Sequence, residues 1–525
     1  MQFVSGETVG IDLGTTFSVI ARLDAMGTPR TLPNRRGEPT TASVVLFKGP
    51  GEAIVGPTAE DRAGIPADNV VTAVKRHVGD PSYRFEFAGR RLTAEFISAM
   101  ILRKLKQDAE RHIGPIGNAV ITVPYYFNDA SRRATQRAGQ ITGLNVIDII
   151  NEPTAATLGH AWQRGELGRL DLPEDERTVL VFDLGGGTFD VTLVRYTPRR
   201  FRVLATDGDV LLGGLDWTQR MAEYCCDRFC EWFAADPRED PQSFSEVLRA
   251  CEAAKRALSR RPRAIVSIHH DGRNVDVEFT DELLQQLTAD LLQRTLDTTE
   301  RVLETADVRP AEVHEILLVG GSTRMPMVRR KLQELCGRPP ATTLDPDQAV
   351  AHGAAVHAAI LEARTQGTES RMGQAVLRRL RSVHVTDVNA HALGVLVTDP
   401  QDLRRKFNHI MIPANTPLPV SVRQRFVTTV PNQRRIDVHV LEGEARDPGA
   451  CHHVTGFRIA GLPPGLPIGA PVEVEYRYDE NGRIDVRARE LTSGRGASVA
   501  VIRGATADAD VEEAFRRLAA EYTIE

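Results

Sequence analysis

The feature that most constrains the fold of this chain is a strand–turn–strand pattern that occurs twice. Near the start of the sequence, an apolar run from Val9 to Leu13 is followed by a Gly-Thr-Thr turn and a second apolar run from Val19 to Leu23. The same pattern returns later, where Thr178 to Asp183 precede a Gly-Gly-Gly-Thr turn and Asp190 to Tyr196 follow it. Both first strands end in Asp-Leu-Gly. Such a repeat predicts two lobes of similar plan, each opening with a β-hairpin.

The glycine-rich turns that follow these strands have the chemistry of a phosphate site. Consecutive backbone N–H groups in such turns form a nest for anions, and the chain has three of them: Gly14-Thr15-Thr16, Gly185-Gly186-Gly187-Thr188 and Gly320-Gly321-Ser322. Asp12 and Asp183 stand beside the first two turns, where a carboxylate would repel a phosphate unless a cation lay between them. Mg²⁺ needs only one or two nearby carboxylates, so it fits this arrangement.

An ordinary hairpin and a P-loop are the two alternatives to this kind of phosphate site. Any one of the turns, taken alone, is more typical of an ordinary hairpin, but three of them together favour phosphate binding. A P-loop is excluded because the sequence contains no GxxxxGK[ST] and because a strand, where a P-loop needs a helix, follows the first two turns.

The length of 525 residues favours two or three domains. Helical spacing over Thr93 to Ile113, Phe244 to Leu258 and Asp281 to Ala306 alternates with strands up to about residue 362, which predicts an α/β region. A polar stretch at 365–374 indicates a boundary. Beyond Val395, short alternating segments predict a compact antiparallel β-domain, and the sequence ends in one short amphipathic helix.

Composition narrows the classes of partner. A formal charge of −5 gives no electrostatic reason to expect nucleic acid or an anionic membrane. No apolar run approaches the length of a membrane span, no secretion signal is visible, and six cysteines are too few for a disulfide framework. We therefore expect a cytoplasmic protein. Of the 65 basic residues only seven are lysines, so each lysine invites a functional explanation.

Five segments, in order, resemble the seventy-kilodalton heat-shock chaperones of the DnaK type. They are Val9 to Ser18 (VGIDLGTTFS), Ile121 to Asp129 (ITVPYYFND), Ile149 to Ala156 (IINEPTAA), Val181 to Val191 (VFDLGGGTFDV) and Leu317 to Pro326 (LLVGGSTRMP). The resemblance implies a two-lobed actin-like α/β ATPase domain at 1–364, an interdomain linker at 365–388, a β-sandwich peptide-binding domain at 389–504 and a short helix at 505–525.

The function implied by the resemblance is that of an ATP-dependent molecular chaperone that hydrolyses ATP slowly to regulate binding of unfolded or extended apolar peptides, as in protein folding and stress response. Its cofactors would be ATP or ADP with Mg²⁺, and K⁺ is a further candidate. A J-domain co-chaperone and a nucleotide-exchange factor are the implied helpers. An alternative is a nucleotide-gated binding module specialised for one partner, and a small-molecule kinase fits the turns but not the β-domain.

The resemblance also assigns roles in the cleft, residue by residue. Asp12, Asp183 and Asp190 would hold metal ions, with the first two acting through water. Lys75, Glu152, Asp183 and Thr188 would serve hydrolysis. The nucleotide contacts would come from Gly14, Thr15, Thr16, Gly185, Gly186, Gly187, Thr188, Glu252, Lys255, Arg256, Ser259, Gly320, Gly321, Ser322, Arg324 and Asp347. Among these, the four residues from Glu252 to Ser259 are spaced to share one helix face.

Outside the cleft, the family pattern points to two further groups of residues. Pro124, Arg132 and Asp387 match positions used for signalling between the domains. Val395, Phe426, Ile436 and Val438 are the candidates to line the peptide pocket, although each fits the plain core of a β-sandwich equally well.

Three departures from the family pattern bear on function. The linker has His384 and Thr386 where aliphatic residues are expected, which predicts weakened coupling because each loses apolar burial on the order of a kcal/mol. Leu215 replaces the usual glutamate of the cleft. About twenty residues follow the β-domain, so we expect the helical lid of the family to be missing and peptide exchange to be fast.

Overall fold

The computed structural model describes residues 3–61, 69–169, 171–341, 345–365, 372–399, 402, 404–479, 484–501 and 516–525. Within these residues, no helix combines the length and the apolar character that crossing a membrane requires.

The first lobe is built on a sheet that the first predicted hairpin opens. Its elements are β1 (Glu7–Asp12), β2 (Phe17–Leu23), β3 (Pro29–Thr31), β4 (Thr41–Ala42), β5 (Val45–Gly49), β6 (Glu52–Val55), α1 (Pro57–Asp61), β7 (Val70–Val71), β8 (Phe85–Phe87), β9 (Arg90–Leu92), α2 (Ala94–Ile113), β10 (Ile116–Val123), α3 (Asp129–Ile141), β11 (Asn145–Asn151) and α4 (Glu152–Gln163). The strands β11-β10-β1-β2-β3 form the main sheet, with β2 antiparallel and β10 parallel to β1. The first hairpin is confirmed.

The second lobe repeats this plan. Its elements are β12 (Arg177–Leu184), β13 (Phe189–Tyr196), β14 (Arg200–Asp209), α5 (Gly214–Phe233), α6 (Pro241–Leu258), β15 (Arg263–His270), β16 (Arg273–Thr280), α7 (Asp281–Leu287), α8 (Ala289–Thr305), β17 (Glu315–Val319), α9 (Pro326–Cys336), α10 (Ala349–Arg364), α11 (Gln374–Arg381) and β18 (His384–Thr386). The strands β12 and β13 form the second predicted hairpin, and β17 lies parallel to β12.

One helix expected in this lobe is divided into two. The sequence predicts a single helix from Asp281 to Ala306, but α7 ends before Thr288 and α8 begins after it. Thr288 leaves the helical region at φ −125° and ψ 18°. Its buried hydroxyl and its backbone N–H both donate to the carbonyl of Leu284, at 2.7 and 3.2 Å.

The two lobes meet where α4 and α10 pack closely against each other. A Cβ atom on Gly353 would lie 1.6 Å from the carbonyl oxygen of Ala155, and one on Gly10 of β1 would lie 2.1 Å from the backbone nitrogen of Ala355. Glycine is therefore required at both positions, because any side chain would push α10 away from its neighbours. The helix is apolar on every face and mostly buried, as a helix between two lobes should be.

The β-rich region is a sandwich of two four-stranded antiparallel sheets. Its strands are β19 (Leu393–Thr398), β20 (Lys406–Ile412), β21 (Val420–Val427), β22 (Arg435–Glu442), β23 (His452–Ala460), β24 (Pro471–Tyr478), β25 (Ile484–Glu490) and β26 (Gly496–Val501). One sheet has the order β20-β19-β22-β23 and the other β21-β24-β25-β26. Tyr476, Ile484 and Val486 are among the fully buried residues between them. The predicted all-β domain is confirmed.

The final helix is described in part. Residues 516–521 are helical, and a short strand, β27 (Thr523–Ile524), follows them. Thr506, Val511 and Phe515, which the sequence places at the cap and on the apolar face of this helix, lie outside the described residues.

The described part of the linker, from residue 372 onward, contains one helix and one strand. Its helix α11 buries Leu377 and Leu380 against the second lobe. The strand β18 then extends the sheet of that lobe, parallel to β14. Val383 is fully buried and Val385 partly buried, whereas His384 is exposed, so the polarity of His384 costs this docking little.

Candidate functional site

The two predicted phosphate turns face each other across the junction of the lobes. A Cβ atom on Gly186 would lie 1.9 Å from the Thr16 hydroxyl oxygen, and one on Gly187 would lie 2.5 Å from the Thr15 methyl carbon. Neither glycine can carry a side chain without moving the opposite turn. These two hairpins are far apart in sequence, yet their turns lie against each other. A ligand bound between the lobes would therefore lie next to both turns.

Lys75 and Glu152 form a buried ion pair beside these turns. The Lys75 ammonium lies 2.6 Å from Glu152 Oε1, and both residues are 5% exposed. Lys75 sits in a short 3₁₀ turn, Val74–His77, which follows Ala73 in the left-handed conformation at φ 52°. Glu152 is the first residue of α4. The one lysine that the family pattern assigns to hydrolysis is therefore buried rather than solvated.

The carboxylates around this pair carry more negative charge than Lys75 offsets. Burial, followed by repulsion from Glu152, raises the pKa of Asp12 and of Asp190 to about 7. The same causes hold the pKa of Asp183 well above its ordinary range. Burial alone would lower the pKa of Lys75, but Glu152 and Asp12 raise it. A bound cation would stabilise the ionised form of such a cluster.

The donor set fits Mg²⁺ held largely through water. Asp12 ends β1 and accepts a hydrogen bond from the Thr122 hydroxyl at 3.1 Å, while Asp183 lies near the end of β12. Within the described ranges no three His, Cys, Asp or Glu side chains converge closely enough to hold a metal directly. Mg²⁺ keeps several of its waters when bound, so a site of separated carboxylates beside anion-binding turns suits it.

Arg76 is a cleft residue that the sequence analysis missed. Its Nε donates to the carbonyl of Gly187 at 2.8 Å, and its guanidinium pairs with Asp216 at 2.7 Å. Asp216 also accepts from the backbone N–H of Gly213, 2.7 Å away. Arg76 therefore links the 3₁₀ turn of the first lobe to the phosphate turn of the second. Its position beside Lys75 was the only signal in the sequence.

The face of α6 predicted to contact the nucleotide base presents a linked set of charges. Lys255 is 6% exposed, and its ammonium lies 2.7 Å from Glu252 and donates to the carbonyl of Gly214 at 2.6 Å. Burial lowers the pKa of Lys255. The Arg256 guanidinium lies over the ring of Phe17, 5.2 Å from its centroid, so it spans from the second lobe to the first. Ser259 caps the end of α6.

The third glycine turn completes the arrangement on the second lobe. Gly320 adopts φ 80°, and the Ser322 hydroxyl donates to the carbonyl of Gly185 at 2.8 Å. Arg324 pairs with Asp347 at 2.6 Å. Asp347 also lies 3.3 Å from where a Cβ on Gly321 would stand. The predicted third turn therefore packs directly against the second.

The three residues predicted to signal between domains lie in or beside one hydrogen-bond network. Asp387 accepts from the Tyr125 hydroxyl at 2.7 Å and from the Asn151 amide at 2.8 Å. Arg132 in turn donates to the side-chain oxygen of Asn151 and to the carbonyl of Tyr125. Pro124 is buried at the end of β10, directly before Tyr125. The side chain after the linker strand is thus tied to the first lobe.

A second contact between the sandwich and the first lobe is centred on His391. Its Nε2 lies 3.0 Å from the carbonyl oxygen of Tyr126, and its Nδ1 lies 3.7 Å from Glu444. Burial alone would lower the pKa of His391, but Glu444 and Glu442 raise it above the ordinary value. Nearby, Glu442 accepts from the backbone N–H of Asp129 at 2.9 Å.

The four peptide-pocket candidates divide into two pairs. Val395 on β19 and Val438 on β22 are 5% and 3% exposed and belong to the sandwich core. Phe426 and Ile436 are partly exposed and pack against that core. His409 on β20 stands edge-on to Phe426, with 5.4 Å between ring centroids. Only the second pair presents apolar surface.

Comparison with known proteins gives a consistent result over almost the whole chain. The family model described as Hsp70 protein matches residues 8–86 and 79–525. "Chaperone protein DnaK" of Thermotoga neapolitana is 38% identical over 502 residues, which cover 94% of this chain and 80% of that protein. The protein of the same name from Thermotoga petrophila matches with the same identity and coverage.

Proposed function

The chain belongs to the Hsp70 family of ATP-dependent chaperones, and from that premise we propose which of its residues bind and hydrolyse ATP and how the cleft is linked to peptide binding. The proposal is carried by one observation above all. A buried Lys75–Glu152 pair, 2.6 Å apart, lies beside two facing glycine turns and within a cluster of further carboxylates. That combination suits a triphosphate with a divalent cation.

In this proposal the facing turns hold the phosphates by their backbone N–H groups. Asp12 and Asp183 would hold Mg²⁺ through its waters, and Asp190 would add its negative charge beside them. When bound, the cation would supply charge neutralisation for the phosphoryl group that is transferred to water. Lys75 directs its positive charge to that phosphoryl group, and Glu152 and Asp183 orient the water. Phosphoryl transfer needs positioning and charge neutralisation more than covalent chemistry, so few groups suffice.

The remaining cleft residues are proposed to set which nucleotide binds. The α6 face with Glu252, Lys255, Arg256 and Ser259, together with the turn at Gly320 to Ser322, Arg324 and Asp347, would enclose the base and ribose. Leu215 stands where the family usually has a glutamate. The adjacent Asp216 pairs with Arg76, which supports a role for Asp216 in holding the lobes together.

We propose that peptide binding follows the sandwich surface at Phe426 and Ile436, with Val395 and Val438 beneath it. An extended peptide would add backbone hydrogen bonds and bury alternate side chains there. Unfolded or extended peptides are the proposed partners, with a J-domain co-chaperone and a nucleotide-exchange factor as helpers and K⁺ as an additional ion. A cytoplasmic location is supported by six free cysteines, among which the sulfurs of Cys225 and Cys251 lie 3.8 Å apart without being bonded.

Calorimetry with ATP, with and without Mg²⁺, tests the site directly. We expect binding heat that depends on Mg²⁺ for well-folded protein, and the absence of any heat would refute the assignment of the cleft. A labelled model peptide then tests the coupling, since a coupled chaperone releases bound peptide when ATP is added. Peptide that stays bound would favour the alternative, a binding module for one partner with weak coupling between its domains.

A further inference from the structure

The segment 516–525, which follows the sandwich in sequence, lies against the first lobe. Its strand β27 pairs in parallel with β6, with Thr523 opposite Glu52 and Ile524 opposite Ala53. The Thr523 N–H donates to the carbonyl of Gly51 at 2.8 Å, and the Glu525 N–H donates to that of Ala53 at 3.0 Å. The Val55 N–H returns a bond to the carbonyl of Glu525 at 3.2 Å. The segment therefore extends the small sheet of β5, β6 and β7 by one strand.

Apolar side chains of this segment fill a pocket in the same lobe. Tyr522 is 1% exposed, and its ring centroid lies 5.9 Å from that of Phe47 and 5.6 Å from that of Phe96. Both contacts are edge-on, which is a favoured geometry for aromatic rings. Ile524 and Ala519 are also buried in the core of the first lobe. Tyr522 and Ile524 are two residues apart, so they project to the same face of an extended chain.

Arg103 on α2 fixes the backbone of the segment. One of its guanidinium nitrogens donates to the carbonyls of Ala519 and Tyr522, at 2.5 and 3.1 Å. The final carbonyls of a helix lack partners within it, and Arg103 meets this need at the end of the 516–521 turn. Ion pairs at the rim, Arg90 with Glu521 and Lys48 with Glu525, are exposed and contribute little.

The strand pairing and the buried alternate side chains of this segment are those of a peptide that binds by adding a strand to a sheet. An added strand gains affinity from backbone hydrogen bonds, and pockets for alternate side chains give it specificity. We propose that β6, Phe47, Phe96 and Arg103 form a strand-docking groove, and that its occupant is residues 516–525 of the same chain. The docked segment then ties the end of the sandwich to the ATPase lobe, independently of the linker.

The groove is connected to the catalytic turn through α2. This helix carries both Phe96 and Arg103, and Phe96 shares a core with Tyr522 and with Val74, the residue before Lys75. Docking therefore adds apolar contacts to the core on which the Lys75 turn rests.

Hydrogen exchange measured by mass spectrometry on the full-length protein tests the docking. The backbone pair of variants is Thr523→Pro and Thr523→Ala, at a residue whose side chain is exposed. Proline removes the N–H that bonds to Gly51, so we expect exchange at Val55 and Glu525 to accelerate by about tenfold or more. Alanine keeps that N–H and should leave exchange unchanged. Equal protection in the proline variant would overturn the proposal.

A second pair of variants tests the pocket. Tyr522→Ala empties the space between Phe47 and Phe96 and should release the same amides, with at least about a tenfold change. Tyr522→Phe is the matched control, because the buried Tyr522 hydroxyl has no hydrogen-bond partner among the described residues. It should preserve protection. Loss of protection in the phenylalanine variant, or none in the alanine variant, would contradict the pocket assignment.

A labelled peptide with the sequence of residues 516–525 identifies the occupant. We expect it to bind full-length Thr523→Pro protein, whose groove is vacated, and not the wild type, whose groove is filled; fluorescence anisotropy measures both. Binding to neither protein would refute the groove as a docking site. Analytical ultracentrifugation of the wild type completes the test. A dimer whose Val55 protection falls on dilution would show that the segment comes from a second copy and would overturn docking within one chain.

Discussion

Replacing Asp387 by alanine should release the linker from the ATPase domain. The Asp387 carboxylate accepts from the Tyr125 hydroxyl at 2.7 Å and from the Asn151 amide at 2.8 Å. Both donors belong to the first lobe, whereas the preceding strand, β18, belongs to the sheet of the second. Alanine removes both acceptors at once, which leaves the Asn151 amide without this partner and the Tyr125 hydroxyl with only the Val388 carbonyl, 2.6 Å away.

The size of the effect follows from these two bonds. A hydrogen bond to a charged group contributes about 1.5–3 kcal/mol, so losing two would cost about 3–6 kcal/mol. Part of this is offset, because burial raises the pKa of Asp387 and so already disfavours its ionised form. We therefore expect about 3 kcal/mol, which lowers the population ratio of docked to released linker by roughly a hundredfold.

Hydrogen exchange across the linker measures this change, and His384→Ala is the matched control. His384 lies three residues earlier on β18 and its side chain is exposed, while its backbone N–H bonds to the carbonyl of Arg199 at 2.7 Å. We expect Asp387→Ala to accelerate exchange at 384–388 and to abolish stimulation of ATP hydrolysis by peptide, and His384→Ala to do neither. Unchanged exchange in Asp387→Ala would refute the reasoning from the network.

Three further predictions concern the cleft and the second domain contact. Lys75→Ala should slow ATP hydrolysis by about a hundredfold or more while calorimetry still detects Mg²⁺-dependent binding; unaltered turnover would remove Lys75 from the mechanism. Gly186→Ala should weaken ATP affinity, because its Cβ would lie 1.9 Å from the opposing turn, whereas Gly49→Ala, with nothing within 4 Å, should not. Because the folded pKa of His391 is raised, its stabilisation is fully present below about pH 6.5 and is lost as pH rises through the raised value. Thermal unfolding against pH should show this dependence for wild type and not for His391→Ala.

Features set by short stretches of sequence could be predicted. Each hairpin is encoded by two apolar runs and the glycine turn between them, so the sequence was sufficient to assign Asp12 and Asp183 to strand ends. Alternating apolar and polar residues indicated the antiparallel β-domain, and the family resemblance indicated that it is a sandwich and that Lys75 lies beside the glycine turns. These signals are local, and the described residues contain each of these elements.

Features set by distant contacts could not be predicted. Arg76 acts through Gly187 and Asp216, and nothing near it in sequence indicates either partner. The strand at Thr523 is two residues long and pairs with Glu52, so it has no periodicity to detect. The break at Thr288 is a single residue outside the helical region, within a stretch whose apolar spacing is helical throughout. The sequence predicts weakened coupling because His384 and Thr386 are polar, and this stays a prediction. Which strand the linker pairs with, β14, is set by a contact that the sequence does not indicate.

The contacts between the domains connect the sandwich to both halves of the ATPase domain. Strand β18 joins the sheet of the second lobe, while Asp387, Glu442 and β27 contact the first. Because the proposed nucleotide site lies between the lobes, a change in their separation moves these anchors relative to one another. The sandwich can follow only one lobe, so contacts to the other must shift or break. A difference of a few kcal/mol between two such sets of contacts is enough to change which state is populated. Movement of the lobes on nucleotide binding would therefore have a direct physical route to the proposed peptide-binding surface, even with polar residues in the linker.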